Sequence, residues 1–209
     1  MIFDCDGVLV DTELIANRVL ASLLTEAGIP TTFDDCMREY RGRAMTSVIA
    51  VATERLGAPL PFDVGERYYA EVKEIFRREL EPVPGVIAAL DRIDLPSCVA
   101  SSGPHHKMEV TLRHTGLWDR FEGRIFSASE VAVGKPAPDL FLHAARRMGF
   151  EPATTAVVED SLPGIQAARA AGMRALAFAR HTGASVLAAA GGETFEDMAE
   201  LPGLLAAGA

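Results

Sequence analysis

The first twelve residues, MIFDCDGVLVDT (1–12), place aspartates directly after a short apolar segment. Asp4 and Asp6 are separated by a single residue, and Asp11 follows shortly afterwards. Carboxylates this close repel each other, so the segment either forms a solvated turn or holds a cation. The apolar start is typical of a buried strand, and Gly7 allows the chain to turn tightly and approach a ligand.

Composition and charge narrow the possible classes of protein. The chain has 209 residues, of which 49% are hydrophobic and 23% charged, enough for a sizeable core in one domain or slightly more. The net charge of -9 argues against a nucleic-acid or anionic-membrane partner, because phosphate backbones attract an excess of Lys and Arg. An acidic protein can still bind a small phosphate where a cation or a helix amino-terminus supplies positive charge.

Cysteine usage and hydropathy indicate the compartment. Cys5, Cys36 and Cys98 are odd in number and lack C-x-x-C spacing, which predicts reduced thiols and no structural zinc. No apolar run reaches the length of a membrane span, and no charged-then-apolar leader precedes the first aspartates. We therefore expect a cytoplasmic protein, monomeric or weakly dimeric, without a membrane or nucleic-acid partner.

Residues 12–82 show only helical patterns. LIANRVLASLLTEAG (14–28) has apolar residues at helical spacing, and its final glycine predicts the end of the helix. A second helix is predicted in MTSVIAVATERLG (45–57), and a third runs roughly from 62 to 80. This block is expected to form an inserted α-helical cap domain.

Short apolar strands alternate with helices in the remainder of the chain. The predicted strands are MIF (1–3), SCVA (97–100), RIFS (124–127), TAVV (155–158) and RALAFA (174–179). Such alternation predicts an α/β fold with a doubly wound, Rossmann-like parallel sheet, in which ligands bind at the carboxyl ends of the strands. The core domain would comprise residues 1–11 and 83–209, and the cap residues 12–82.

Polar groups follow the predicted strands and would meet at one edge of the sheet. They are Asp4 and Asp6, then Ser101, Ser102 and Gly103, then Lys135, and finally Glu159 and Asp160. Several carboxylates at one edge require a cation, and hard oxygen ligands suit Mg²⁺, which usually keeps waters and a substrate phosphate in its shell. Hydroxyls and unpaired N–H groups at a helix start form a cradle for an anion.

Each cluster also has a purely structural explanation that involves no ligand. Paired aspartates before glycine commonly form a turn, and serines at a strand end commonly cap the next helix. A lone lysine such as Lys135 is usually a surface cation. These explanations weaken if the clusters converge, because a site crowded with carboxylates and phosphate needs a fixed cation.

Four segments carry a resemblance to a known family. DCDGVLVDT (4–12), VASSG (99–103), GKPAPDLF (134–141) and VVEDSLPGI (157–165) resemble, in this order, the four motifs of the haloacid dehalogenase superfamily. The similarity is to its β-phosphoglucomutase-like branch, which has a helical cap after the first motif. The match spans nearly the whole chain.

The resemblance implies a role for each matched residue. Asp4 matches the nucleophile that forms an aspartyl-phosphate, and Asp6 the general acid/base. Ser101 matches the hydroxyl that holds the phosphoryl group, with Ser102 and Gly103 beside it, and Lys135 matches the cation that steadies nucleophile and phosphate.

The resemblance also implies a set of ligands for Mg²⁺. Asp4 and Asp160 match side-chain ligands, and Asp6 would contribute its backbone carbonyl. Glu159 would bind the metal directly or through water.

Some charged residues have two open interpretations. Arg41 and Arg43 form either a solvated turn between cap helices or, as in similar capped enzymes, a turn that closes over the core and contacts the organic part of the substrate. His105, His106 and Lys107 either face the mouth of the site or form a solvated first helical turn.

Three functions follow as hypotheses. The first is a Mg²⁺-dependent phosphatase for a small phosphorylated metabolite; SSGPHHKM (101–108) is similar to bacterial 6-phosphogluconate phosphatases, which implies a sugar phosphate or sugar-acid phosphate. The second is a phosphomutase of the β-phosphoglucomutase type. The third is a catalytically silent module that binds phosphate or a partner, which would have no need of Asp6.

The first cap helix separates the two catalytic hypotheses. In β-phosphoglucomutases that resemble this chain, a histidine follows the first motif, whereas Ala16 stands at the matching place here. Alanine offers neither a hydrogen bond nor a charge to couple sugar binding to closure. Hydrolysis is therefore preferred over mutase activity, and dehalogenation is disfavoured because a halide leaving group needs no proton from Asp6.

Overall fold

Two compact units make up the structure, a computed structural model that describes residues 1–40 and 45–207. The core unit contains Met1–Asp11 and the chain from Glu81 onward, and the helical unit contains Thr12–Leu80. The sequence-predicted positions Arg41 and Arg43 lie outside the described residues.

The chain re-enters the core unit at Glu81, slightly before residue 83, where the sequence predicted the boundary. Asp11 N donates to Glu81 O at 3.0 Å, and Val10 forms an isolated antiparallel bridge with Pro82. Glu81 and Pro82 therefore belong to the core unit, since their backbone pairs with the segment that follows the first strand.

The helical unit is built on amphipathic packing. Its helices are α1 (Thr12–Glu26), α2 (Phe33–Glu39), α3 (Met45–Leu56) and α4 (Val64–Glu79). Helix α1 packs against α4, and it buries Ile15, Val19 and Leu23 on one face. Gly28 adopts a positive φ of 93° after the last turn, which confirms the predicted stop.

Helix α2 was missed by the sequence prediction. It has only seven residues and too short an apolar repeat to detect. Its start is nevertheless encoded, because Thr32 Oγ1 accepts from Asp35 N at 3.1 Å and Asp35 Oδ2 accepts from Thr32 N at 3.0 Å. This reciprocal capping box was the signal available in the sequence.

The core unit contains a parallel sheet. Its strands are β1 (Ile2–Phe3), β2 (Cys98–Ser101), β3 (Ile125–Ser127), β4 (Ala156–Glu159), β5 (Arg174–Phe178) and β6 (Glu193–Phe195). Their order in the sheet is β3-β2-β1-β4-β5-β6, with all neighbours parallel. The strand order reverses at β1, and the crevice for a ligand opens at the carboxyl end of such a switch point.

Helices flank this sheet. They are α5 (Val86–Arg92), α6 (His105–His114), α7 (Trp118–Phe121), α8 (Asp139–Met148), α9 (Leu162–Ala170), α10 (Ala184–Ala189) and α11 (Leu201–Ala207). The predicted doubly wound α/β core is thereby confirmed. Strand β6 was missed, because its three residues form too short an apolar run to stand out in the sequence.

The short strand β1 is stable because both of its faces are covered. Ile2 belongs to a buried cluster that includes Phe141 of α8 and Ile165 of α9. Phe3 faces the opposite side, where its ring meets that of Phe121 edge to face at 6.0 Å between centroids. Successive side chains of a strand point to opposite faces, so two residues suffice to join both layers.

Within the part of the chain that the structure describes, no helix is long and apolar enough to cross a membrane.

Candidate active site

Asp4 is the first polar residue after β1, and the sheet holds its backbone. Asp4 N donates to Val158 O at 2.9 Å, which continues the ladder between β1 and β4. The carboxylate is buried, with 9% of the side chain exposed. A carboxylate placed here needs a positive partner, because burial disfavours its charged form.

That partner is Lys135, which reaches the site from the segment between β3 and α8. Its Nζ lies 2.6 Å from Asp4 Oδ1 and 2.7 Å from Glu159 Oε1. It also donates to Ala100 O at 3.3 Å and lies 4.8 Å from the centre of the Phe141 ring. The bland interpretation of Lys135 as a surface cation is wrong, since only 5% of its side chain is exposed.

The charges of this trio determine its ionisation. Burial by itself lowers the pKa of Lys135, but Asp4 and Glu159 more than offset that effect, and the pKa lies above its ordinary value. The pKa of Asp4 is raised to about 7, chiefly by burial, with Glu159 and Asp6 adding to the rise and Lys135 opposing it. Lys135 is therefore a permanent cation beside a carboxylate that lacks sufficient counter-charge.

Glu159 ends β4 and is held on both carboxylate oxygens. Its Oε1 accepts from Lys135, while its Oε2 accepts from Ser161 N at 2.6 Å and Ser161 Oγ at 2.8 Å. Ser161 also caps α9 by accepting from Gly164 N at 3.2 Å. Gly164 is needed at this place, because a side chain there would overlap the Glu159 carboxylate. Because both oxygens of Glu159 are already engaged, these contacts favour a role in orienting Lys135. They do not favour Glu159 as a direct metal ligand.

Asp6 lies at the start of the turn that follows β1. Gly7 has a φ of 78°, and its N–H donates to Val10 O at 2.8 Å, which closes the turn. The Asp160 carboxylate packs directly against Gly7, where any side chain would overlap it. Two neighbouring strands thus bring the Asp6 backbone and the Asp160 side chain together.

The Asp6 side chain has two different oxygens. Oδ2 accepts from Lys107 Nζ at 2.7 Å. Oδ1 is buried and has no hydrogen-bond partner within residues 1–40 and 45–207. A buried oxygen without a partner is costly, and such atoms concentrate where a ligand, an ion or chemistry is expected.

Ser101 ends β2 beside Asp6. It is buried, and its Oγ accepts from Gly103 N at 3.2 Å. Ser127 Oγ donates to Gly103 O at 2.9 Å, so β3 supports the loop. A Cβ built on Gly103 would lie 3.6 Å from Ser101 Oγ and 3.7 Å from Asp6 Oδ2. Ser102 follows Ser101 and is exposed to solvent.

Sequence reasoning missed a second cluster behind Asp11. Arg180 Nη2 lies 2.9 Å from Asp11 Oδ2, and His181 Nε2 lies 3.6 Å from Asp11 Oδ1. These residues follow β5, and nothing in their local sequence pairs them with the first motif. The sequence left Lys107 either at the mouth of the site or in a solvated first helical turn, and it did not predict the contact with Asp6.

Cys5 has no chemical role in this geometry. Its side chain is buried, and burial together with the Asp6 and Asp4 carboxylates raises the pKa of the thiol well above its ordinary value. The protonated thiol is unreactive, so Cys5 serves as a packed side chain.

The donor atoms fit a magnesium ion. Within the described ranges no group of three or more His, Cys, Asp or Glu side chains forms a ready metal cluster. Mg²⁺ does not need one, because proteins bind it through one or two carboxylates while waters and substrate phosphate complete the octahedron. Asp4 and Asp160 offer two carboxylates, Asp6 offers a backbone carbonyl, and the buried Asp6 Oδ1 has no hydrogen-bond partner among the described residues.

Comparison with known proteins shows the family of the chain. A family model described as haloacid dehalogenase-like hydrolase matches residues 1–172. The chain therefore belongs to the haloacid dehalogenase-like hydrolase family, which confirms the resemblance of the four motifs.

Particular relatives are similar over nearly their whole length. The 6-phosphogluconate phosphatase of Escherichia coli is 32% identical over 203 residues, covering 97% of this chain and 92% of that protein. A haloacid dehalogenase-like protein of Agrobacterium tumefaciens superposes with a TM-score of 0.91 at 37% identity, covering 99% of this chain and 96% of the other. A hydrolase of Deinococcus radiodurans, solved with bound phosphate and sodium, has a TM-score of 0.85 at 28% identity, covering 99% and 95%.

Proposed function

We propose that this protein is a Mg²⁺-dependent phosphatase that hydrolyses a sugar phosphate or sugar-acid phosphate through an aspartyl-phosphate on Asp4. The observation that carries the proposal is the placement of Lys135 between Asp4 and Glu159, with Asp6 and Ser101 at the same sheet edge. A buried lysine that holds a nucleophilic carboxylate beside an anion cradle serves phosphoryl transfer, where charge must be neutralised and groups positioned.

In the first step, an Asp4 carboxylate oxygen forms a bond to phosphorus as the bond from phosphorus to the substrate oxygen breaks. The protonated Asp6 carboxyl gives its proton to the leaving oxygen, which departs as an alcohol. Ser101 and the amides of its loop hold the phosphoryl oxygens, and Lys135 balances the charge on Asp4. Asp4, Asp160 and the Asp6 carbonyl would hold Mg²⁺, which supplies positive charge to the phosphoryl oxygens.

In the second step, water attacks phosphorus, and its proton goes to the Asp6 carboxylate. The bond between phosphorus and the Asp4 oxygen breaks, so inorganic phosphate leaves and Asp4 regains its charge. Asp6 is again protonated for the next turnover.

The size of the rate acceleration indicates how much each of these groups must contribute. Phosphate monoesters hydrolyse so slowly that barrier reductions reach or exceed the top of a range of roughly 8–23 kcal/mol. General acid/base help contributes only about 10²–10⁴ in rate. Most of the acceleration must then come from the cation, Lys135 and the backbone cradle.

The substrate class draws support from the relative that is a 6-phosphogluconate phosphatase. The similarity covers both units of the chain. A cytoplasmic location and a monomeric or weakly dimeric state complete the proposal. The described cysteines are all free and buried, which suits a reducing compartment.

The test is phosphate release from a panel of phosphorylated sugars and sugar acids, including 6-phosphogluconate, with p-nitrophenyl phosphate as a generic substrate. We expect Mg²⁺-dependent release with a preference for one sugar or sugar-acid phosphate. Absence of release from every substrate, with folded protein and Mg²⁺ present, contradicts the proposal.

The mutase alternative is tested separately. β-Glucose 1-phosphate is supplied with a bisphosphate primer, and glucose 6-phosphate and phosphate are followed over time. We expect phosphate to dominate, because Ala16 lacks the group that would shield the phosphoenzyme from water. Glucose 6-phosphate accumulating much faster than phosphate would assign the chain to the mutase branch.

A further inference from the structure

Each of the two aspartates Asp4 and Asp6 is bound by a different lysine. The sequence contains only three lysines, Lys73, Lys107 and Lys135. All the other residues in its total of 20 Lys and Arg are arginines. Lys135 Nζ binds Asp4, and Lys107 Nζ binds Asp6 Oδ2 at 2.7 Å. Resting on the phosphatase function proposed above, we infer that Lys107 is a positioning residue that orients the Asp6 carboxyl for proton transfer.

The local backbone is built to let Lys107 reach Asp6. Lys107 lies in the first turn of α6, where its N–H donates to Pro104 O at 3.0 Å. A Cβ on Gly103 would lie 3.5 Å from Lys107 Cδ, so the lysine stem passes over the bare glycine backbone. The ammonium reaches Asp6 Oδ2 with 36% of the lysine side chain still exposed.

The contact distinguishes the two oxygens of Asp6. Lys107 holds Oδ2, while Oδ1 is buried and accepts no hydrogen bond from the described residues. A terminal carboxyl torsion is soft, so an unheld carboxyl spreads over several orientations. Fixing Oδ2 restricts the rotation of the whole carboxyl group, and proton transfer depends strongly on such geometry.

A lysine suits this task better than an arginine. An ammonium is a compact point charge that binds one carboxylate oxygen, whereas a guanidinium fork tends to bind both. Bidentate capture would occupy both oxygens and leave neither for proton exchange. The use of lysine at the two aspartates, in a chain that otherwise prefers arginine, agrees with this requirement.

The test compares substrates whose leaving groups differ in their need for a proton. Single-turnover release of the leaving group is measured for p-nitrophenyl phosphate, whose leaving group is a stabilised phenolate, and for the best sugar phosphate. Without a proton from Asp6, the sugar would have to depart as an unstable alkoxide. The proteins are wild type, Lys107→Met, Lys107→Gln, Asp6→Asn and Lys73→Met. Lys73 is exposed on α4 and serves as the matched control.

We expect Lys107→Met to slow the sugar phosphate by about 10–10²-fold, a part of the full general-acid effect, and p-nitrophenyl phosphate by less than about 3-fold. The KM for both substrates should change little, because Lys107 acts through Asp6. Asp6→Asn should show the same leaving-group pattern with larger losses. The double variant Lys107→Met/Asp6→Asn should be no slower than Asp6→Asn alone, because the two residues act as a unit.

Other outcomes separate the inference from the proposed function. Equal loss on both substrates, or a raised KM with unchanged kcat, overturns the positioning role and makes Lys107 a structural residue or a direct substrate contact. Lys107→Gln keeps a polar side chain and provides the same comparison if the methionine variant fails to fold. A wild type that releases no phosphate from any substrate overturns the phosphatase proposal itself.

Discussion

Lys135 Nζ lies 2.6 Å from Asp4 Oδ1, and both side chains are almost completely withdrawn from solvent. The pair is not a neutral couple, because Glu159 shares the same ammonium at 2.7 Å. Two carboxylates therefore compete for one cation in a region of low dielectric constant. That excess of negative charge supports the proposal of a divalent cation at the site, and it makes the roles of the individual residues testable.

Asp4→Asn should abolish turnover while preserving the fold. The amide keeps the shape of the side chain but loses the nucleophilic charge, so we expect a loss of at least about 10⁴-fold in kcat. Because burial raises the pKa of Asp4 to about 7, a neutral group costs little, and the thermal midpoint should be unchanged or higher. Phosphate release and thermal unfolding measure the two effects. Near-wild-type release would contradict a covalent mechanism on Asp4.

Lys135→Met should destabilise the protein by about 3–5 kcal/mol, because it leaves buried carboxylates without their cation. Urea unfolding measures the loss, with Lys73→Met as an exposed control expected within about 0.5 kcal/mol of wild type. Adding Glu159→Gln to Lys135→Met should recover part of the stability, since one uncompensated charge is removed. A single variant as stable as wild type would contradict the burial argument.

Asp160→Asn should raise the Mg²⁺ concentration needed for half-maximal activity and lower kcat. The Asp160 carboxylate lies against Gly7, next to the Asp6 backbone, and an amide binds a hard cation more weakly. Mg²⁺ titration of activity checks this, with Asp119→Asn on the exposed surface of α7 as the control. Wild-type protein should lose activity in EDTA, and full activity after verified metal removal would contradict metal dependence.

Arg43→Ala tests a prediction that rests on the sequence alone. If the Arg41 to Arg43 turn contacts the organic part of the substrate, the variant should lose more activity on a sugar-acid phosphate than on p-nitrophenyl phosphate. Only the former carries a partner for the cation. The ratio of kcat/KM for the two substrates is the measurement, and an identical loss on both would return Arg43 to a surface or folding role.

Asp11→Asn should lower stability near neutral pH by about 1–3 kcal/mol, because Arg180 and His181 lose a charged partner. Burial alone would raise the pKa of Asp11, but the nearby His181 and Arg180 side chains outweigh that effect, and the pKa lies below its ordinary 3.8. A carboxyl group whose pKa is lower in the folded than in the unfolded protein stabilises the fold at pH values above its unfolded pKa. This stabilisation is lost as the pH falls through the folded pKa. Urea unfolding should therefore show the two proteins converging below about pH 4, and a constant gap would contradict the linkage.

The sequence by itself determined the parallel core and most of the site. Strands alternating with helices require the carboxyl ends of the strands to share one edge, so polar residues after MIF, SCVA and TAVV had to approach one another. The first five predicted strands agree with β1 to β5 within about one residue at each end, because apolar runs in a parallel sheet are continuous and easily recognised. Helix α2 and strand β6 were too short for such periodicity to develop.

Only the tertiary structure decided which charged groups bind one another. The Lys107 contact with Asp6 joins residues 101 positions apart, and the Lys135 contact with Glu159 joins residues 24 apart. The directions of these side chains depend on the register of the sheet and on the position of the first turn of α6, neither of which a local pattern contains. A sequence motif can specify that carboxylates and lysines meet at one edge. The pairing between them follows from packing, because each buried charge must find its partner within the fold.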